Sequence, residues 1–165
     1  LEFRRVLFRS IPGAIGRMVA VETVRAEQGR NEPADLRRAL TAFVDHWDEL
    51  LKRKEKTGTH QPPYGVAPYY FMFAHGYLAE AIEHLPEADR DARRQQLAAL
   101  LMSVRDEAGG WNDRVFDRSS AYGTSIALLA LPQPEESARP RRLPEAPAPR
   151  AATAPNPGSE TSDIP

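Results

Sequence analysis

The chain has no cysteine, which excludes disulfides and thiolate metal ligands for this sequence. This does not fix the compartment, because secreted and cytosolic proteins can both lack cysteine. No apolar run approaches the roughly 18 residues that a membrane-spanning helix needs, so we expect no transmembrane segment. Lysine and arginine number 22 against 23 acidic residues, for a formal net charge of −1. Without a broad positive field, we expect no nucleic-acid partner.

The usual sequence patterns of catalysis are also missing. No two of the four histidines, His46, His60, His75 and His84, have the i, i+4 spacing of helix-borne metal ligands. No serine lies in the strained, Gly-flanked turn that exposes a nucleophile. Gly109 and Gly110 follow a predicted helix, whereas a phosphate-binding loop follows a strand. We therefore expect no catalytic residue, bound metal or cofactor in this sequence.

The two ends differ in composition from the middle. Residues 1–10 lack an initiator Met, and residues 3–10 resemble the translation of a common sequencing adapter. We therefore expect an artefactual head on an incomplete gene product whose native part starts near Ile11. The rival interpretation, a basic targeting arm, lacks the long apolar region that such a signal needs. Nine of the fifteen prolines fall in residues 132–165, and their apolar-poor context predicts a disordered tail.

Two segments of the middle region, residues 33–54 and 86–105, are predicted to be one-sided helices. In the first, the apolar residues at helical spacing are Leu36, Leu40, Phe43, Val44, Trp47, Leu50 and Leu51. In the second, they are Ala92, Leu97, Leu100, Leu101 and Val104. Such helices bury one face and leave the other in water. The arginines at positions 90, 93 and 94 alternate with acidic residues, which indicates a solvated, mixed-charge face.

Three other segments are apolar on most of their circumference: residues 14–24, 68–85 and 122–131. A helix of this kind has to be covered on several sides. The order along the chain is inner, outer, inner, outer, inner. Tyr64-Gly65 and Tyr122-Gly123 open two inner helices with the same pair of residues, 58 positions apart. This spacing predicts stacked helical hairpins in a solenoid or closed toroid.

Residues around the second Tyr-Gly pair resemble a known repeat. Leu100-Leu101-Met102, Gly109-Gly110-Trp111, Tyr122-Gly123-Thr124 and the apolar run at 127–131 are similar to the prenyltransferase and squalene-oxidase repeat. This family includes squalene-hopene cyclases, and the resemblance covers about residues 11–131. It implies an α/α toroid, of the (α/α)6-barrel type, whose inner helices line a cavity and whose outer helices form the wall.

The chain departs from this family in three ways. Arg105 stands where the repeat usually has Gln, and we expect it to stack on Trp111 for about 0.5–1 kcal/mol. The clustered aspartates with which the cyclases protonate an alkene are absent, since the closely spaced aspartates at 45 and 48 and at 89 and 91 fall on predicted outer helices. The zinc set of the protein prenyltransferases would need a cysteine.

Four residues are candidates for lining a substrate-binding cavity: Tyr69, Tyr70, His75 and Asp113. The aromatic residues at 69, 70, 73 and 77 can face an isoprenoid, although aromatic helix residues more often form core. His75 shares a helix face with apolar residues, which favours a hydrogen-bonded core histidine. Asp113 and Arg114 precede an inner helix, which favours capping and a local ion pair.

We therefore predict an all-α chain of five helices that forms part of an α/α toroid over residues 11–131. The leading hypothesis for function is a wall or scaffold segment of a larger toroid with no active site of its own. One alternative is a terpenoid-cyclase-like enzyme whose catalytic acids lie upstream. Another is a toroid that binds a peptide, a glycan or a protein. A partner could be an apolar small molecule or a protein, and the localisation is left open.

Overall fold

The computed structural model describes residues 10–132, in which the chain forms six α-helices and no β-strand. They are α1 (Ile11–Glu27), α2 (Pro33–Asp45), α3 (Trp47–Leu51), α4 (Tyr70–Glu83), α5 (Glu87–Ser103) and α6 (Ser120–Ala130). A short 3-10 helix, Asp117–Ser119, precedes α6. The all-α class is thereby confirmed. The predicted artefactual head, except for residue 10, and the predicted tail beyond residue 132 lie outside the described residues.

Helix α4 is the centre of the packing. Helices α1 and α6 flank it, and it also contacts α2, α3 and α5. Its buried residues lie on more than one side of the helix: Phe71, Met72, Ala74, His75, Leu78, Ala81 and Ile82. This agrees with the prediction that residues 68–85 form a helix covered by several neighbours.

Helices α1 and α4 run in the same direction. Near the start of both helices, a Cβ atom placed on Gly16 would lie 2.9 Å from the Cβ atom of Ala74, so the two backbones approach closely there. Further along both helices, the Thr23 hydroxyl donates a hydrogen bond to the Val19 carbonyl at 2.8 Å and also lies 3.4 Å from the carbonyl oxygen of Tyr77. Residues later in α1 therefore contact residues later in α4, as they do in a parallel pair of helices.

Helix α6 lies on the other side of α4, also in parallel. Asp113, ahead of α6, contacts Met72 in the first turn of α4. One turn later along α4, Gly76 faces Ile126 of α6, with 3.3 Å between a Cβ placed on the glycine and the isoleucine Cγ2 atom. Helices α1, α4 and α6, which the sequence predicted as inner helices, thus lie side by side and point the same way.

Helices α2 and α5, which the sequence predicted as outer helices, are joined by two polar contacts. Arg37 of α2 forms an ion pair with Asp89 of α5 at 2.7 Å. One turn further along both helices, Arg93 of α5 donates a hydrogen bond to the hydroxyl of Thr41 at 3.0 Å. Both pairs are separated by 52 positions, so the outer helices also run parallel. The charged face predicted for α5 is therefore partly used to hold the two outer helices together.

One helix boundary differs from the prediction. Residues 33–54 were expected to form a single helix, but the helix is interrupted at His46, whose φ of −119° and ψ of 17° are not helical. The interruption separates α2 from α3 and gives six helices instead of five. The indole of Trp47, at the start of α3, donates a hydrogen bond to the ring of His75 in α4. This partly buried contact favours the bend, because an indole N–H that loses contact with water needs another acceptor.

Candidate functional site

A row of aromatic rings follows one side of α4, and we call it the aromatic face: Tyr70, Phe73 and Tyr77. Their spacing of three and four residues places them on the same side of the helix. The ring centroids are 6.5 Å apart for the first pair and 4.8 Å apart for the second. Phe73 is 42% exposed, whereas the neighbouring Phe71 and Ala74 are buried. Phe73 therefore lies where the other described helices leave α4 open, whereas Tyr70 and Tyr77 are partly buried against the core.

Asp113 lies at the N-terminal end of α4, although it belongs to the turn before α6. It is fully buried, and its Oδ2 atom accepts a hydrogen bond from the backbone N–H of Met72 at 3.3 Å. Its Oδ1 atom has no hydrogen-bond partner and lies 3.5 Å from Nε of Arg114. Burial raises the pKa of Asp113, an effect opposed by the Met72 N–H and by Arg114. The capping and the ion pair expected for Asp113 are both present, but the capped helix is α4 and not α6.

The guanidinium group of Arg114 lies close to two tyrosine rings. Its central carbon is 5.9 Å from the ring centroid of Tyr69 and 5.4 Å from that of Tyr122, within the range of a cation–π interaction. The Tyr69 ring in turn lies 4.6 Å from Tyr70, so the cluster continues into the aromatic face. Burial and the Asp113 carboxylate raise the pKa of Tyr122. One end of the aromatic face thus carries both the buried carboxyl group of Asp113 and the partly exposed guanidinium cation of Arg114.

His75 is buried on another side of α4 and uses both ring nitrogens. Nδ1 lies 2.7 Å from the carbonyl oxygen of Phe71, and Nε2 lies 2.9 Å from the indole N–H of Trp47. A carbonyl only accepts and an indole N–H only donates, so the ring is neutral with its proton on Nδ1. Burial lowers the pKa of His75 to about 4. These contacts match the core histidine that the sequence favoured and leave no ring nitrogen for a ligand.

The structure therefore separates the four candidate residues. Tyr69, Tyr70 and Asp113 lie together at the N-terminal end of α4, whereas His75 lies in the core. The expected pair of Arg105 and Trp111 is confirmed, with the guanidinium carbon 5.3 Å from the ring centroid.

A further cluster lies at the C-terminal end of α4. Ligand atoms of Glu27, Glu80 and His84 all lie within 4.8 Å of one another, and all three residues are exposed. This group contains a single histidine, so the spacing of the histidines in the sequence does not reveal it. The i, i+4 spacing of Glu80 and His84 was a usable signal. No sequence signal indicates the contribution of Glu27, because Glu27 belongs to α1 and its position depends on how α1 and α4 pack.

Comparisons with models of known protein families, with curated proteins and with solved structures gave no match. Within residues 10–132, no helix combines the length and apolarity that crossing a bilayer requires.

Proposed function

We propose that residues 11–131 form part of the wall of a larger curved array of helical hairpins, similar to the prenyltransferase and squalene-oxidase repeat, and serve as scaffold. The parallel inner helices α1, α4 and α6 support this proposal, as do the parallel outer helices α2 and α5. Consecutive hairpins that each contact the next have this arrangement in repeat proteins.

The observation that carries the proposal is the exposure of apolar side chains on both flanking helices. On α1, Val21 and Val24 are 49% and 43% exposed and lie on the side away from the buried Ile15. On α6, Leu129 is 62% exposed on the side opposite the buried Ala127. Apolar surfaces at the ends of a hairpin array are normally covered by a neighbouring repeat or by a polar cap. Further hairpins would cover both surfaces.

The test uses the full chain and two charged substitutions, Val21→Lys on α1 and Leu129→Lys on α6. The unaltered chain should bind a dye specific for apolar surface and self-associate in analytical ultracentrifugation. Each substitution should reduce both signals. The matched control is Met102→Lys on the outer helix α5, where the side chain is 49% exposed, and it should change neither. The proposal would be contradicted if the unaltered chain were a monomer that melts sharply and binds no dye. It would also be contradicted if all three substitutions changed dye binding and self-association equally.

A second candidate function is the binding of an apolar small molecule at the aromatic face. The exposure of Phe73 favours it over binding of a peptide or glycan, for which polar inner residues would be expected. Farnesol is a suitable probe, and Phe73→Ala should weaken its binding in titration calorimetry. Phe116→Ala is the control, because Phe116 is 53% exposed outside the aromatic face. Equal affinity for farnesol in both variants would reject this function. A cyclase-like activity would still need acidic residues elsewhere.

A further inference from the structure

We propose that Glu27, Glu80 and His84 form a binding site for a divalent transition-metal ion such as Zn²⁺. Two carboxylates and one imidazole are a donor set that suits zinc, with solvent completing the coordination. The ligand atoms lie within 4.8 Å of one another. Ligands around a tetrahedral zinc ion are about 3.4 Å apart, so small rotations of these exposed side chains are enough to close the site.

The helical framework fixes the three positions. Glu80 and His84 are one turn apart on α4, so their side chains project from the same side of the helix. Glu27 follows Thr23 by one turn on α1, and the hydroxyl of the buried Thr23 lies 3.4 Å from the carbonyl oxygen of Tyr77 on α4. Helices α1 and α4 are therefore in contact just before the cluster. The three side chains therefore come from a packed pair of helices and not from loops.

The charges around the cluster favour a cation. Because α1 and α4 run in parallel, their C-terminal ends lie at the same end of the structure, and each carries the negative end of a helix dipole. Two carboxylates at this position add negative charge. The nearby arginines are engaged elsewhere, since Arg25 pairs with Glu22 and Arg94 pairs with Glu83. Among the described residues, no hydrogen bond or ion pair engages the three side chains of the cluster.

The site is distinct from the proposed scaffold role, because metal binding needs only the α1–α4 pair. On α4, Glu80 and His84 continue the line of the aromatic face beyond Tyr77, at helical spacings of three and four residues. A metal ion there would lie at the opposite end of the aromatic face from Asp113 and Arg114. It would also link the end of α1 to α4 and stabilise their packing.

The experiment measures Zn²⁺ binding to the untagged full chain by titration calorimetry, with Co²⁺ absorption as a spectroscopic check of imidazole ligation. One zinc ion per chain is expected. Glu27→Gln, Glu80→Gln and His84→Ala should each weaken binding by about tenfold or more. Zinc should also raise the thermal midpoint of the unaltered chain, because a ligand that binds only the folded state stabilises it.

Two control variants remove the same chemical groups elsewhere. Glu107 and His60 are exposed and lie outside the cluster, so Glu107→Gln and His60→Ala should bind zinc as the unaltered chain does. Thermal melts without zinc show whether each variant folds. Undetectable zinc binding to the unaltered chain, or binding that survives all three cluster substitutions in folded variants, would overturn the proposal.

Discussion

The carboxylate of Asp113 accepts a hydrogen bond from the backbone N–H of Met72, 41 positions earlier in the chain. Met72 lies in the first turn of α4, where backbone N–H groups have no partner within the helix. Side-chain caps normally come from the residue just before the helix, but here the cap comes from the turn ahead of α6. This bond joins the start of α4 to the segment that positions α6.

Removing this cap should destabilise the protein. Asp113→Ala leaves the buried N–H of Met72 without an acceptor, and we expect a loss of about 1–2 kcal/mol in the free energy of unfolding. Asp113→Asn retains an acceptor oxygen and should lose less. Urea unfolding at pH 7 measures both variants. If both substitutions lowered the free energy of unfolding equally, the hydrogen bond to Met72 would not be the cause of the loss.

The buried carboxylate should also give a characteristic pH dependence. Burial raises the pKa of Asp113 above its ordinary value of 3.8, so the folded chain holds this proton more tightly than the unfolded chain. The stabilisation that protonation provides is fully present below pH 3.8 and is lost as the pH rises through the folded-state pKa. Lowering the pH through this interval should therefore stabilise the unaltered chain relative to Asp113→Asn. Parallel pH profiles for the two proteins would contradict this.

His75 should have the opposite effect on stability. Its pKa falls from 6.5 to about 4 on folding, because burial disfavours the charged ring. The neutral His75 ring therefore contributes to the free energy of unfolding above about pH 6.5. This contribution is lost as the pH falls towards 4, by roughly 3 kcal/mol in total. His75→Gln, which keeps an acceptor for Trp47, should remove this part of the acid sensitivity. Unfolding measured between pH 7 and 4.5 tests it, and His60→Gln should behave as the unaltered chain does.

Much of the fold could be predicted from local patterns. The all-round apolar character of residues 68–85 indicated a central helix, and α4 is covered by neighbours on several sides. The periodicity in residues 33–54 could not show the interruption at His46, because the apolar spacing continues through it. The interruption accompanies a tertiary contact, between Trp47 and His75, that local sequence does not encode.

The candidate site was less predictable for the same reason. The sequence placed Tyr69 and Tyr70 at the start of α4, but the approach of Asp113 depends on the path of the chain between α5 and α6. The sequence predicts that His75 is hydrogen-bonded in the core, but it does not indicate that the partners are Phe71 and Trp47. The Glu27, Glu80 and His84 cluster required the relative position of two helices, which only packing determines.

The turn around Trp111 provides a further prediction. The indole N–H donates a hydrogen bond to the carbonyl of Leu101 at 2.7 Å, and Arg105 lies over the ring. Trp111→Phe should lose about 1–3 kcal/mol of stability, because the Leu101 carbonyl keeps only the Val104 N–H as a donor and the site loses volume. Arg105→Gln should lose less than about 1 kcal/mol, since this cation–π contact is largely exposed. Guanidinium unfolding measures the stability of both variants. A larger loss for Arg105→Gln than for Trp111→Phe would show that the stacking of Arg105 stabilises the turn more than the hydrogen bond and volume of Trp111 do.

The tight contact between α6 and the same turn gives the most demanding prediction. A Cβ atom on Gly123 would lie 2.3 Å from the carbonyl oxygen of Trp111, which belongs to the backbone and cannot rotate away. Gly123→Ala should therefore displace α6 and destabilise the protein by about 2 kcal/mol or more, despite the higher helix propensity of alanine. Gly76→Ala is the matched control on α4, because its new Cβ would lie 3.3 Å from a side-chain methyl group of Ile126 that can shift. Thermal and urea unfolding should show a small effect for the control, and a similarly small effect for Gly123→Ala would mean that α6 does not pack against Trp111 this closely.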